Sequence, residues 1–471
     1  MNPLLFTDPS FLFFFAPIVL TGYWLAPARW RNGFLLLASL LLYGWGEGRY
    51  AGVLLASIAI NWTAGVAISR ATNPRPRKTA LIIGVASNLL LLATFKYLTF
   101  FIWNLNLLLH SAEIQAPDWH LPVGLSFYTF MGISYLVDLY RRDLDAPASP
   151  PRMALFLSMF PHLIAGPIVR MTEIGPQFGI RLAKAEPLAA GIRRFVIGFG
   201  KKMLLANTLS TASDAIFALP SHQLPTSLAW FGLLCYTLQI YYDFSGYTDM
   251  AIGLARILGF EFPENFNYPY ISQSIGEFWR RWHITLSHWL RDYLFFPLGV
   301  RGGRLKMVRN QLIVFFLCGL WHGASYNFIL WGMWHGTLLG IEQLGLQDKL
   351  KRLPSPLRIA YTLIAVSLGW VLFRSATLPA AMDFYAALAG FGSSAPPDSW
   401  IAVKYIGPAT YVALAAAIAG ATPLKSIFKN LEARFPAFTG PAEFTALSAV
   451  FLAALASTAS DTFHPFIYFR F

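Results

Sequence analysis

Gln311–Leu330 reads QLIVFFLCGLWHGASYNFIL. Its apolar residues run on without alternating with polar ones, the habit of a helix buried in lipid or protein rather than of a half-exposed strand. Within Leu312–Leu330 the strongly polar groups are His322 and Asn327. An ionisable side chain is costly to hold inside such a segment, so it marks a functional site by default. Similar runs recur almost from end to end of the 471 residues. They are about 17–25 residues long, the length at which a helix crosses a hydrocarbon core. Lipid offers the backbone no hydrogen bonds, so the expected fold is all-α: a polytopic membrane protein.

Composition agrees. The chain is 56% hydrophobic, 16% aromatic and 13% charged, against about 25% charged residues in ordinary soluble domains. Lys and Arg number 36 against 23 Asp and Glu, a net charge of +13. No basic stripe lies on a soluble domain, so nucleic acid is not an expected partner; basic residues of a polytopic protein collect on its cytoplasmic loops. Cys235 and Cys318 lie far apart in apolar segments and read as buried, inert thiols, with no disulfide or cysteine-based metal site. Phe11–Leu25 is apolar, with Arg29 and Arg31 after it and no Lys or Arg before it. That order is the reverse of a signal peptide's and predicts an uncleaved first helix with its N-terminus outside.

The basic clusters Arg29/Arg31, Arg70/Arg75/Arg77/Lys78 and Arg141/Arg142/Arg152 then belong inside, and the tips Trp45–Tyr50 and His110–His120 outside, with five helices between them. Met153–Val169 carries Pro161, Gly166 and Pro167 and reads as shallow or re-entrant. Arg170–Lys202 reads as cytoplasmic. Phe195–Leu219 leads out, and Leu228–Leu258 leads back, interrupted by the polar run YYDFSGYTD. Ile275–Leu298 mixes Trp, Phe and Leu with Arg and His, the composition of a helix at or dipping into the membrane face. Basic residues flank both ends of Gln311–Gln343, which predicts a hairpin or a strongly bent helix pair with GLWHGASYN near the bend. His322 lies 13 residues beyond Arg309, about 20 Å along a helix, and so near the middle of a core about 30 Å thick. Helices near 357–375, 403–421 and 442–459 complete the chain. Pro396–Asp398 and the terminal HPFIYFRF are expected outside, and Lys425/Lys429/Arg434 inside. This makes about ten to twelve spans plus re-entrant or interfacial pieces, in a single domain over 1–471.

A neutral imidazole at His322 can take a proton from a hydroxyl and return it. Beside it Trp321 offers a rigid wall and Gly323 close backbone approach; the plainer reading is a histidine bonded to a neighbouring helix. In WRRWHITLSHWLRDY, His283 and His288 are five residues apart, about 140° out of alignment on a helix, so they share no face and make no metal pair; zinc needs three or four clustered ligands. Arg280, Arg281, His283 and Arg291 suit a phosphate-rich ligand at the inner face or snorkel to lipid headgroups. Asp243 and Asp249 flank FSGYT. A paired-carboxylate hydrolase would need a water-filled cleft. The local account has them satisfy backbone groups where Gly246 weakens the helix, with Asp249 pairing with Arg256. No Gly-rich phosphate loop, GxSxG or HExxH is present. The chain thus supplies a base without an obvious covalent nucleophile, which favours direct transfer between two bound substrates, or transfer through His322 itself.

The stretches LPVGLSFYTFMGISYLVDLYRRD, LFLSMFPHLIAGPIVR, YYDFSGYTDMAIGLARILGF, FNYPYISQSIGEFWRRWHITLSHWLRDYLFFPLG, CGLWHGASYNFILWGMWHG and PFIYFRF together resemble the membrane-bound O-acyltransferase superfamily. The resemblance is to its bacterial branch, which O-acetylates alginate and other exopolysaccharides, and it runs from about Phe6 to Phe471. It implies a ring of tilted helices around a central funnel in the bacterial inner membrane. It implies that His322 is the shared catalytic histidine, and that His283 occupies a second position that is Asn or Asp in many eukaryotic members. It implies acetyl-CoA as the acyl donor, with no permanently bound cofactor or metal. The donor's diphosphate and adenosine would lie near Arg280, Arg281 and Arg291, and its pantetheine arm would reach His322 past Trp279 and Trp321. Asp243, Asp249, Asp292, His288 and Asn327 would support the site. The acceptor would be a hydroxyl of a periplasmic or membrane-anchored relay protein, which passes the acetyl group to polysaccharide. Three alternatives stay open: an acyl carrier protein as donor, a glycan or acyl-donor transporter using the histidines as a proton relay, and a scaffold for a polysaccharide-modifying complex. The absence of an internal repeat with paired broken helices speaks against the transporter.

Overall fold

The computed structural model describes residues 6–109, 114–181, 185–220, 223–299, 301–392, 404–423, 436–460 and Phe466. The loops expected at Pro396–Asp398 and Lys425/Lys429/Arg434 lie outside these residues, as does the terminal HPFIYFRF apart from Phe466 and part of the His110–His120 tip. Among the described residues there is no strand. The helices are α1 (Ala16–Leu25), α2 (Arg31–Glu47), α3 (Ala51–Arg70), α4 (Pro74–Lys96), α5 (Leu98–Leu109), α6 (Leu125–Arg141), α7 (Pro150–Ser158), α8 (Phe160–Leu163), α9 (Met171–Ile174), α10 (Ala185–Gly200), α11 (Asn207–Phe217), α12 (Thr226–Ile257), α13 (Ile275–Arg281), α14 (Ile284–Leu290), α15 (Gly303–His322), α16 (Tyr326–Ile341), α17 (Gln347–Leu350), α18 (Ser355–Arg374) and α19 (Leu378–Ala386). Pro408–Gly420 and Pro436–Ser460 follow.

Among the described residues four helical stretches are long and apolar enough to cross a membrane: Ala28–Arg70, Pro74–Lys96, Ser355–Arg374 and Gly440–Ala459. Phe11–Leu25, Leu98–Leu109, Leu378–Phe391 and Pro408–Gly420 are shorter apolar helices. Helices α6, α12, α15 and α16, which carry buried histidines or aspartates, are not among the four. In α4 only 17% of the apolar window is buried; Ile82, Ile83, Leu89 and Leu90 are exposed. So large an apolar surface is stable where lipid covers it.

The chain groups into two compact units, Met1–Phe195 with Thr248–Glu264, and Val196–Tyr247 with Asn265–Phe471. In the first, α3, α4 and α6 pack together. Asn61 and Asn88 exchange amide hydrogen bonds of 3.0 Å between α3 and α4, and the Gly132 backbone of α6 comes so close that a Cβ would meet the Asn61 amide at 2.5 Å. Small residues at helix crossings and paired amides are the usual means of joining helices where lipid supplies no hydrophobic drive. The Met153–Val169 region breaks into α7 and the single turn α8, with Met159 extended between them (ψ 115), as its prolines and glycine predict.

Two expectations need correction. The Ile275–Leu298 stretch is not one interfacial helix. It folds as α13 and α14 with a corner at Trp282–His283, and Phe278, Trp279, Trp282, Leu286, Trp289 and Leu290 are buried. The YYDFSGYTD run does not interrupt its helix, because α12 continues for 32 residues. Gly246 is a point of close approach rather than of weakness: a Cβ there would lie 2.8 Å from the Gly198 carbonyl oxygen.

Candidate active site

In the second unit α15 and α16 form the expected hairpin. His322 is the last residue of α15, Gly323 turns to extended backbone, and Ser325 precedes α16. The two helices touch through glycine. A Cβ on Gly332 would lie 2.1 Å from the Phe315 carbonyl oxygen, and one on Gly319 would lie 2.3 Å from that of Phe328. The bend is equally tight, since a Cβ on Gly323 would strike the Phe328 ring at 2.3 Å. His322 is buried. Its ring makes edge contacts with Trp321 at 4.9 Å, Trp331 at 4.8 Å and Phe373 of α18 at 5.2 Å. Asn327, the other polar residue of this stretch, donates to the Ser375 carbonyl at 2.8 Å and so ties the start of α16 to the end of α18.

His283 occupies the corner between α13 and α14 in the left-handed conformation (φ 42, ψ 55), an uncommon state for a residue with a Cβ. Tertiary hydrogen bonds hold it there. The Asn265 side-chain oxygen accepts from Thr285 N at 3.2 Å and from Thr285 Oγ1 at 3.0 Å, and it lies 3.0 Å from His283 Nδ1. The Thr285 N–H identifies that atom as the amide oxygen, so Nδ1 must carry the proton and Nε2 is the basic nitrogen of the ring. Trp321 lies 6.3 Å from the His283 ring and also contacts His322, so one indole borders both imidazoles. His288, in contrast, is exposed, and because His283 stands at the corner outside α14, the separation of the two histidines comes from that corner and not from their spacing along one helix.

A third histidine was missed in the sequence. His335 on α16 is fully buried. It packs against Trp331 at 5.1 Å and Trp279 at 5.2 Å, so ring contacts run unbroken from Trp279 of α13 through His335 and Trp331 to His322. The available signal was a second Trp-His-Gly, Trp334-His335-Gly336, 13 residues after the first.

The remaining candidates disperse. On α13 and its neighbour, Arg280 is exposed, Arg281 pairs with Glu277 at 2.9 Å, and Arg291 pairs with Asp292 at 2.7 Å. Asp243 forms a buried ion pair with Lys202 at 2.5 Å. Asp249, in the first unit, binds Arg194 through Nε at 2.9 Å and Nη2 at 2.7 Å. Arg256, its expected partner, instead pairs with Glu261 at 3.1 Å. Glu264 completes the Arg194 cluster. Burial works against the Arg194 charge, but the Glu264 and Asp249 carboxylates outweigh it and hold the guanidinium above its ordinary value. Each Asp thus has its own cation, and the two do not form a paired-carboxylate site. Among the described residues no three His, Cys, Asp or Glu side chains gather as a metal site would require.

Comparison with known proteins covers these same residues. The family model for the membrane-bound O-acyltransferase family matches residues 89–347. The chain is 42% identical over 394 residues to the probable alginate O-acetylase of Azotobacter vinelandii, covering 83% of this chain and 79% of that one. It is 36% identical over 425 residues to the peptidoglycan O-acetyltransferase of Helicobacter pylori, covering 82% and 80%. It is 31% identical over 220 residues to the teichoic acid D-alanyltransferase of Bacillus subtilis, covering 44% and 55%. The chain belongs to the membrane-bound O-acyltransferase family and is an O-acyltransferase.

Proposed function

We propose that this enzyme moves an acetyl group from cytoplasmic acetyl-CoA to a hydroxyl on the far side of the bacterial inner membrane, with His322 as general base. The observation that supports this most is the meeting of His322 and His283 at Trp321, in a cluster that ring contacts join to the arginine-bearing helix α13. The hydroxyl proton passes to the His322 imidazole as the oxygen attacks the thioester carbonyl carbon. The tetrahedral intermediate then collapses, the C–S bond breaks, and the imidazolium returns the proton to the departing thiolate. His283, its Nδ1 committed to Asn265, presents Nε2 to orient the acceptor or the acyl oxygen. The exposed Arg280 faces the donor's phosphates at the inner face. The acceptor is a relay protein that hands the acetyl group to polysaccharide. Alginate is the preferred final acceptor, because identity is higher to the alginate O-acetylase than to the peptidoglycan enzyme (42% against 36%).

The test is purified protein with acetyl-labelled acetyl-CoA. His322→Ala is expected to lower thioester cleavage by about 10²–10⁴-fold, the range of one general base, while the thermal transition stays intact. Unchanged cleavage by the variant removes His322 from the chemistry. The likeness to the D-alanyltransferase gives the carrier-protein donor its own arm. Wild-type protein that consumes an acetylated carrier protein but not acetyl-CoA establishes that donor instead.

A further inference from the structure

His335, Trp279 and Trp331 are mutual neighbours: the rings stand 5.2 Å (Trp279 to His335), 5.1 Å (Trp331 to His335) and 5.8 Å (Trp279 to Trp331) apart. All three are buried, at 0%, 7% and 1% exposure for His335, Trp279 and Trp331. Both ring nitrogens of His335 and both indole nitrogens lack a hydrogen-bond partner among the described residues. Nearly all buried polar atoms in folded proteins are partnered, and four orphans in one triangle of rings call for a common explanation. The α18 backbone packs directly against this triangle. Gly369 of α18 stands where a Cβ would lie 3.0 Å from His335 Nε2.

The chemistry of the four atoms defines the guest. Two indole N–H groups and one imidazole N–H donate, and the second imidazole nitrogen accepts. A secondary amide is the complement: its carbonyl oxygen receives two or more donors, and its N–H meets the acceptor. Position narrows the choice. Trp279 lies one residue from Arg280 on α13, and Trp331 touches His322 at 4.8 Å. His335 is one helical turn, about 5.4 Å, beyond Trp331 on α16. In a pantetheine thioester the nearest amide stands two methylene groups from the sulfur, a separation of that order. We propose that His335, Trp279 and Trp331 form a hydrogen-bonding station for a secondary amide of the acyl donor's arm, the phosphopantetheine amide that coenzyme A and acyl carrier proteins share. The station rests on the donor chemistry proposed above and makes His335 a binding residue, not a base.

Two small thioesters test it with the full-length protein. N-acetyl-S-acetylcysteamine carries an amide two methylenes from sulfur, and S-propyl thioacetate presents the same thioester without one. Wild-type protein should prefer the amide-bearing compound in kcat/KM. His335→Phe keeps an aromatic ring in place and should lower that preference about tenfold, the worth of a neutral hydrogen bond together with the group left unmatched; His335→Gln should restore part of it. If His335→Phe does not fold, Trp331→Phe, which deletes only the N–H side of the ring system, reads the same ratio. An unchanged ratio, with both compounds slowed alike, means that the ring only packs or holds water, and overturns the station. Parallel assays with acetyl-CoA and with an acetylated carrier protein identify the source of the arm. Wild-type protein that turns over none of these thioesters overturns the donor reading, whereas turnover without any amide preference overturns the station alone.

Discussion

Gly332→Ala probes whether the α15–α16 crossing sets the position of the reactive imidazole. The new methyl would begin 2.1 Å from the Phe315 carbonyl oxygen and 3.2 Å from the Gly319 Cα. Carbon and oxygen settle at about 3.3 Å or more, so the helices must part by about 1 Å. Overpacking of this kind costs about 1–3 kcal/mol. The second consequence is larger. His322 ends α15 only a few residues from the crossing, and a misplacement of about 1 Å at a reacting group can cost about 10²-fold in rate. Gly332→Ala is therefore expected to lower the thermal transition modestly and kcat about a hundredfold. Gly44→Ala is the control, because Gly44 lies in α2 with nothing within 4 Å of an added Cβ; its effect should stay within about 1 kcal/mol. Both are read in lipid nanodiscs by thermal unfolding and by acetyl transfer. A Gly332→Ala protein with wild-type kcat and an unshifted transition would falsify the claim that this contact holds the site.

Two further substitutions address the groups around it. His283 holds a left-handed φ of 42°, which Asn tolerates and a β-branched residue does not. His283→Asn should keep the thermal transition and lower kcat by about 10² or more, whereas His283→Val should lose about 1–3 kcal/mol of stability; a His283→Asn enzyme at full kcat argues against any chemical role. The Lys202–Asp243 pair is buried, with side-chain exposures of 6% and 3%, so Lys202→Met leaves an uncompensated carboxylate and should cost about 3–5 kcal/mol. Lys202→Met/Asp243→Leu should recover most of that loss in the same unfolding measurement, and a double variant no more stable than the single one shows that the pair is not coupled.

The features legible in the sequence are those decided locally or by the solvent. Long apolar runs require helices in lipid whatever their partners, and basic flanks on both sides of Gln311–Gln343 require an even number of crossings, so the hairpin and its polar apex at His322 follow without knowledge of any contact. The misread features share the opposite property. YYDFSGYTD looks like an interruption because Asp243 and Asp249 are unaffordable alone in a span; each becomes tolerable through a cation distant in sequence, Lys202 or Arg194. WRRWHITLSHW keeps helical amphipathicity across the very residue at which the chain turns, since the turn is imposed by Asn265, 18 positions earlier. Arg256 sat at a plausible spacing from Asp249 and lost to Arg194, whose fork reaches the carboxylate with two nitrogens and gains more than a single exposed contact can. Buried polarity in such a chain is therefore settled by partners remote in sequence, and the chemistry is built from that buried polarity. An isolated polar residue in an apolar run is then best read as one half of an unseen pair. His335 follows the same rule: in the sequence it is a lone imidazole in an apolar helix, and in the fold it is the member of a ring triangle whose nitrogens still call for a partner, one that the acyl donor is suited to supply.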